Sequence, residues 1–104
     1  MAATELFIGL MSGTSMDGVD AALVEISAAR LQTVASDYQP FPADIRHDAA
    51  GLLDAGPDDL HRSALLGNQL ARLYANAVSG VLGKAGVPPE SVRAIGCHGQ
   101  TLRR

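Results

Sequence analysis

Between two apolar runs, residues 6–11 and 19–26, the chain sets Ser12, Gly13, Thr14, Ser15, Met16, Asp17 and Gly18. Three hydroxyls, two glycines and an aspartate within seven positions admit two readings. In the plain one, Asp17-Gly18 is a tight-turn pair joining two strands, because both residue types tolerate positive φ. In the sharper one, Gly13 lets the backbone approach a ligand, and the N–H groups of Gly13, Thr14 and Ser15 join the hydroxyls in ringing a phosphate. Such a loop has no lysine. It would grip an anion with neutral dipoles, and a divalent cation held by Asp17 or Asp20 would supply the positive charge.

A second polar stretch, His98-Gly99-Gln100-Thr101, follows an apolar run near the C-terminus. A histidine at a strand end is most often a capping or packing residue. At the carboxyl end of a strand in an α/β sheet, however, it stands where ligands collect. Imidazole and carboxamide groups suit a hydroxylated or carboxylated small molecule, which they fix by directional hydrogen bonds.

Several better-known sites are excluded. The only Gly-Lys pair, Gly83-Lys84, is followed by Ala85 and has Val78 where a Walker loop needs its first glycine. There is no G-x-G-x-x-G. A hydrolase elbow would need glycine where Asp17 stands, which leaves a serine hydrolase on Ser15 and His98 little support. No Cys/His spacing suits zinc. His47 and His61 read as solvated helix positions, and Cys97 reads as a buried strand thiol.

The elements that must position these loops follow from pattern. Residues 6–11 form a continuous apolar run, as in a strand buried on both faces, and 19–26 is similar. Residues 31–40, richer in polar positions, read as a strand nearer an edge. Short links predict an antiparallel meander. After Pro40 and Pro42, a short helix places Ile45, Ala49 and Leu52 or Leu53 on one face. A long helix then starts at Asp58 or Asp59 and runs to about Lys84, with Leu66, Leu70, Leu73, Tyr74, Ala77 and Val81 at three-and-four spacing. Gly86 and Pro88-Pro89 stop it. Residues 92–97 read as a fourth strand, free to lie parallel to the first because a helical crossover precedes it. The expected class is α/β, with β-β-β-α-α-β order and a mixed sheet.

Bulk properties narrow the function. At 104 residues, 47% apolar and 18% charged, the chain is one folded domain and not a disordered segment. A net charge of −3 and a single lysine argue against a nucleic-acid partner. One cysteine allows no internal disulfide, no window is long enough for a membrane span, and no basic leader precedes the first apolar run. A cytoplasmic location is the expectation. The chain stops where a functional loop begins, so a partial chain is also expected.

Taken together, "FIGLMSGTSMDGVDAALVEI" and "AIGCHGQTLRR", in this order and with a helical stretch between them, resemble the beginning of the anhydro-N-acetylmuramic acid kinase family. The resemblance spans essentially the whole chain. It implies an actin-like (ribonuclease H-like) ATPase fold, of which residues 1–104 would be the N-terminal part of the first kinase domain, incomplete by itself. It implies that Gly13, Thr14, Ser15, Met16, Asp17, Gly18, Val19 and Asp20 bind nucleotide and that His98 and Gln100 face the sugar. ATP and Mg2+ would be used, with Asp17 as a metal ligand. The implied reaction opens the 1,6-anhydro ring with water and yields N-acetylmuramic acid 6-phosphate, in cell-wall recycling. The resemblance also allows a homodimer of the full-length protein.

One departure stands out. Superfamily relatives often carry an aspartate two positions before the Gly-Thr pair, and here that position is Met11. Metal handling then falls to Asp17, Asp20 or residues outside the segment. The family's catalytic base is expected beyond residue 104, so no catalytic residue is assigned within the chain, and the chain alone is expected to be inactive and marginally folded. A non-catalytic, nucleotide-binding actin-like module is the alternative.

Overall fold

The computed structural model describes residues 4–12, 17–53 and 56–100. Three strands, β1 (Glu5–Met11), β2 (Gly18–Ile26) and β3 (Leu31–Pro40), form the antiparallel meander. The helices α1 (Ala43–Gly51) and α2 (Asp59–Ala85) follow, and then a 3₁₀ turn at Pro89–Ser91 leads into β4 (Val92–Cys97). β4 pairs in parallel with β1, giving the strand order β3-β2-β1-β4. This is the expected β-β-β-α-α-β mixed sheet, consistent with part of an actin-like sugar-kinase domain.

Each boundary has a local cause. Proline has no N–H for the ladder, so Pro40 closes β3 and Pro42 leads into α1. At the start of α2, the Asp59 carboxylate accepts the Gly56 N–H with both oxygens, at 3.1 and 3.0 Å. At its end, Gly86 turns left-handed, and the Val87 N–H reaches the Leu82 carbonyl at 3.1 Å. That six-to-one bond satisfies a carbonyl the helix would otherwise leave open.

One side of the meander is covered. Ile8 and Leu10 of β1 and Val19, Ala21 and Leu23 of β2 pack with Leu66, Leu70, Ala77 and Val81 of α2 and with Ile45 and Ala49 of α1. The stripe expected on α2 is therefore the core face, with Leu73 and Tyr74 at its border. Expected burial of β1 on both faces does not hold. Its residues alternate, with Ile8 and Leu10 buried and Gly9 and Met11 exposed, because among the described residues no helix covers the other face. β4 likewise has no fully buried residue.

An ionic seam ties β3 to α2. The Lys84 ammonium lies 2.8 Å from the Asp37 carboxylate and donates to the Ser36 carbonyl at 3.2 Å. Gln39 donates to the same carboxylate at 2.7 Å. Together these donors hold the Asp37 carboxyl below the usual carboxylate range, the Lys84 bond contributing most.

Candidate functional site

Parallel pairing sets the carboxyl ends of β1 and β4 side by side, with Leu10 opposite Cys97. The first residue beyond β4, His98, donates its backbone N–H to the Leu10 carbonyl at 2.9 Å. The first residue beyond β1, Ser12, is the one buried polar residue of the described chain, at 2% exposure. Its Oγ lies 2.6 Å from the Tyr74 hydroxyl and donates to the Gly99 carbonyl at 3.3 Å. A hydroxyl has one proton. With that proton on Gly99, the bond to Tyr74 runs from phenol to serine. Burial pushes the Tyr74 phenol above its ordinary range, the Ser12 bond partly opposes this, and nearby Cys97 adds to it. The phenol is therefore protonated at neutral pH and able to donate. Gly99 has φ of +86°, a left-handed backbone that disfavours any side chain there.

Four of the expected nucleotide-binding positions, Gly13, Thr14, Ser15 and Met16, lie outside the described residues. Asp17 is exposed, and its carbonyl accepts the Phe41 N–H at 2.9 Å. The tight-turn account of Gly18 needs correcting. Gly18 is the buried first residue of β2, paired with Pro40, and is not among the glycines with positive φ. Close approach is what demands glycine: a Cβ there would fall 2.5 Å from the ring and hydroxyl of Tyr38. Val19 is fully buried in the core, so only its main chain can meet a ligand. Asp20 is exposed on the opposite face, between Met11 and Tyr38. Partial burial raises the Tyr38 phenol most, the charges of Asp17 and Asp20 add to this, and Arg46 opposes it.

That uncovered face is hollowed beside Asp20 and His98. Register aligns Ser36, Ala22, Gly9 and Gly96 in one row across the sheet, and their small side chains form the floor of an open trough of about 480 Å³. Asp20, Met11 and His98 stand on its rim. The structure thus brings Asp20 and His98 to one concavity at the carboxyl ends of the parallel strands. Gln100 follows in the same loop as His98 and is partly buried. His47 and His61 are exposed on the helices, as expected. Cys97 is exposed, contrary to the expectation of a buried thiol, because β4 is the edge strand of the described sheet.

The cation question turns on Asp17 and Asp20. Among the described residues no group of three or more His, Cys, Asp or Glu could hold a metal ion. A magnesium ion carried on a polyphosphate takes one or two carboxylates and keeps several waters, so the exposed Asp17 or Asp20 carboxylate is of the chemical type that would hold it. The sole lysine, Lys84, is engaged on the β3–α2 seam.

Sequence reasoning missed the roles of Ser12 and Tyr74. A usable signal was present: a tyrosine on a buried helical stripe needs a partner for its hydroxyl.

A family model described as anhydro-N-acetylmuramic acid kinase matches residues 5–104. Proteins of that name from three bacteria are similar to the chain. The one from Nitrosospira multiformis is 52% identical over 97 residues, 93% of this chain and 26% of the relative. The Bordetella pertussis protein is 53% identical over 98 residues, 94% of this chain and 26% of the relative. The Cupriavidus metallidurans protein is 50% identical over 100 residues, 96% of this chain and 26% of the relative. The chain thus spans about a quarter of the length of the curated relatives it matches.

Proposed function

The chain belongs to the anhydro-N-acetylmuramic acid kinase family, and on that premise we propose that the protein transfers the γ-phosphoryl group of ATP to 1,6-anhydro-N-acetylmuramic acid. Residues 1–104 are the N-terminal part of its first actin-like domain. The segment 13–20, the turn and the start of β2, holds the triphosphate through main-chain amides and hydroxyls, and the loop at 98–100 presents His98 and Gln100 to the sugar. The observation that supports this reading is the meeting of Ser12, where the first loop leaves β1, with His98 and Gly99 at the joined carboxyl ends of β1 and β4, through the His98–Leu10 and Ser12–Gly99 bonds.

The chemistry balances as follows. A carboxylate base supplied beyond residue 104 takes a proton from water, whose oxygen bonds to the anomeric carbon as the bridge from that carbon to the 6-oxygen breaks. The 6-oxygen bonds to the γ-phosphorus, the bond to the β-phosphate oxygen breaks, and ADP leaves with N-acetylmuramic acid 6-phosphate formed. Positioning and charge stabilisation dominate such transfers. Asp17 and Asp20 are the residues here that would meet a magnesium ion bound to ATP, which offsets the charge of the phosphates.

The test is a coupled ADP-release assay on the whole gene product, with the sugar phosphate identified by mass. Turnover of the anhydro sugar is the expected result. ATP binding without a phosphorylated sugar would overturn the kinase reading in favour of a nucleotide-binding module. A polypeptide ending at residue 104 should give no turnover in the same assay, because one side of the reacting group is missing.

A further inference from the structure

We propose that Tyr74 acts through Ser12 as a positioning residue, a hydrogen-bonded strut from α2 that fixes the 98–100 loop against Ser12 at the end of β1. The inference deepens the kinase reading and rests on it for its catalytic consequence, although the strut itself is defined by geometry alone.

Three observations converge on it. The two loops are far apart in sequence, and Ser12 touches both their junction and the helix: its Oγ is 2.6 Å from the Tyr74 hydroxyl and 3.3 Å from the Gly99 carbonyl. Ser12 is 2% exposed, so water is a poor substitute for a lost partner, and these are the two bonds of its hydroxyl among the described residues. Tyr74 sits on the buried stripe of α2, anchored by a helix whose neighbouring residues Leu70 and Ala77 are in the core. A phenol on a rigid helix is a fixed donor, and Gly99 is a loop glycine in a left-handed conformation. The His98 N–H bond to the Leu10 carbonyl fastens the same loop to β1.

Removing the phenol oxygen therefore has a specific consequence. Ser12 keeps its place in the core but loses the partner that orients its hydroxyl, and the Gly99 peptide gains freedom. The 98–100 loop and the end of β1 then lose their mutual registration without losing their side chains. Near-attack geometry is sensitive to displacements on this scale, so the rate of the chemical step should fall more than the affinity for either substrate.

Tyr74→Phe in the whole gene product tests this, with two readouts. Amide hydrogen exchange in the peptide covering residues 95–100 should speed up roughly five- to tenfold, while residues 5–11 stay unchanged, as expected from losing one hydrogen bond. In the kinase assay, kcat should fall about tenfold or more with KM for ATP changed less than about twofold. Ser12→Ala should reproduce both effects, and the double variant should add little to either single one. Unchanged exchange at 95–100 overturns the strut. Faster exchange with undiminished kcat overturns its positioning role and leaves a purely structural bond. If the unaltered protein shows no turnover at all, the kinase reading falls, and the exchange measurement still decides the strut.

Discussion

The two faces of the sheet are built from similar strands and have very different surroundings. On the helix side, Ile8, Val19 and Leu23 are essentially inaccessible to water. On the other side, the same strands present Gly9, Met11, Asp20 and Ala22, and Met11 is half exposed. The difference lies in cover and not in strand character, since alternation along one backbone sends neighbours to opposite faces. The covered face carries the stability of the chain, and the open face with the β4 loop carries its candidate chemistry. The Ser12–Tyr74 bond is where the first reaches the second.

Truncation on the two faces should therefore differ most. Leu23→Ala removes a fully buried side chain from the middle of β2 and should cost about 2–5 kcal/mol. In a domain of this size that lowers the melting temperature by roughly 10 °C or more. Met11→Ala, at a half-exposed site, should cost less than about 1 kcal/mol. Thermal melts of both variants check the contrast. Equal losses would mean that the open face is covered in solution, by a later part of a longer chain or by a second copy, and the comparison would break.

The same contrast explains what could be read in advance. β3 and β4 were legible to the residue because prolines and polar turns bound apolar, β-branched runs at both ends. The parallel placement of β4 followed from the helical crossover before it. The stripe on α2 was legible from spacing alone, including Tyr74. What was lost is what periodicity does not encode. Ser12 is buried by a partner 62 residues away, and a serine in a Gly/Ser/Thr stretch gives no sign of that. Cys97 was misjudged because an apolar pattern reports on the strand and says nothing of whether a helix lies over it. Gly18 was assigned to a turn by dipeptide chemistry, while its actual constraint is the Tyr38 ring above it.

Two glycines sharpen the comparison at a smaller scale. A Cβ on Gly80, on α2 beneath β3, would collide with the Asp37 carboxylate, which Lys84 and Gln39 hold in place. A Cβ on Gly18 would collide with Tyr38, a residue 45% exposed whose ring can swing into solvent. Gly80→Ala should then be destabilising by about 1–3 kcal/mol. That overlap outweighs the roughly 1 kcal/mol that alanine gains over glycine inside a helix. Gly18→Ala should cost about 1 kcal/mol or less, and a Tyr38→Ser change should remove most of that cost. Urea midpoints of the three variants measure it. A Gly18→Ala loss equal to that of Gly80→Ala would show that Tyr38 is held as firmly as Asp37.

The smallest expected effect is the pH dependence of the β3–α2 seam. Donation from Lys84, and then from Gln39, depresses the Asp37 carboxyl in the folded chain. A depressed carboxylate adds stability above its unfolded pKa of about 3.9, and that contribution is lost as pH falls through the lower folded value. Asp37→Asn should therefore be less stable than the unaltered chain at about pH 6, with the gap closing below about pH 3. The gap should also narrow in high salt, because the Lys84 side chain is more than half exposed, at 57%, and solvent screens the pair. Denaturation midpoints of the two proteins across that pH range decide the matter. A gap that persists unchanged into acid would mean that Asp37 matters for shape and hydrogen bonding at the seam, with no contribution from its charge.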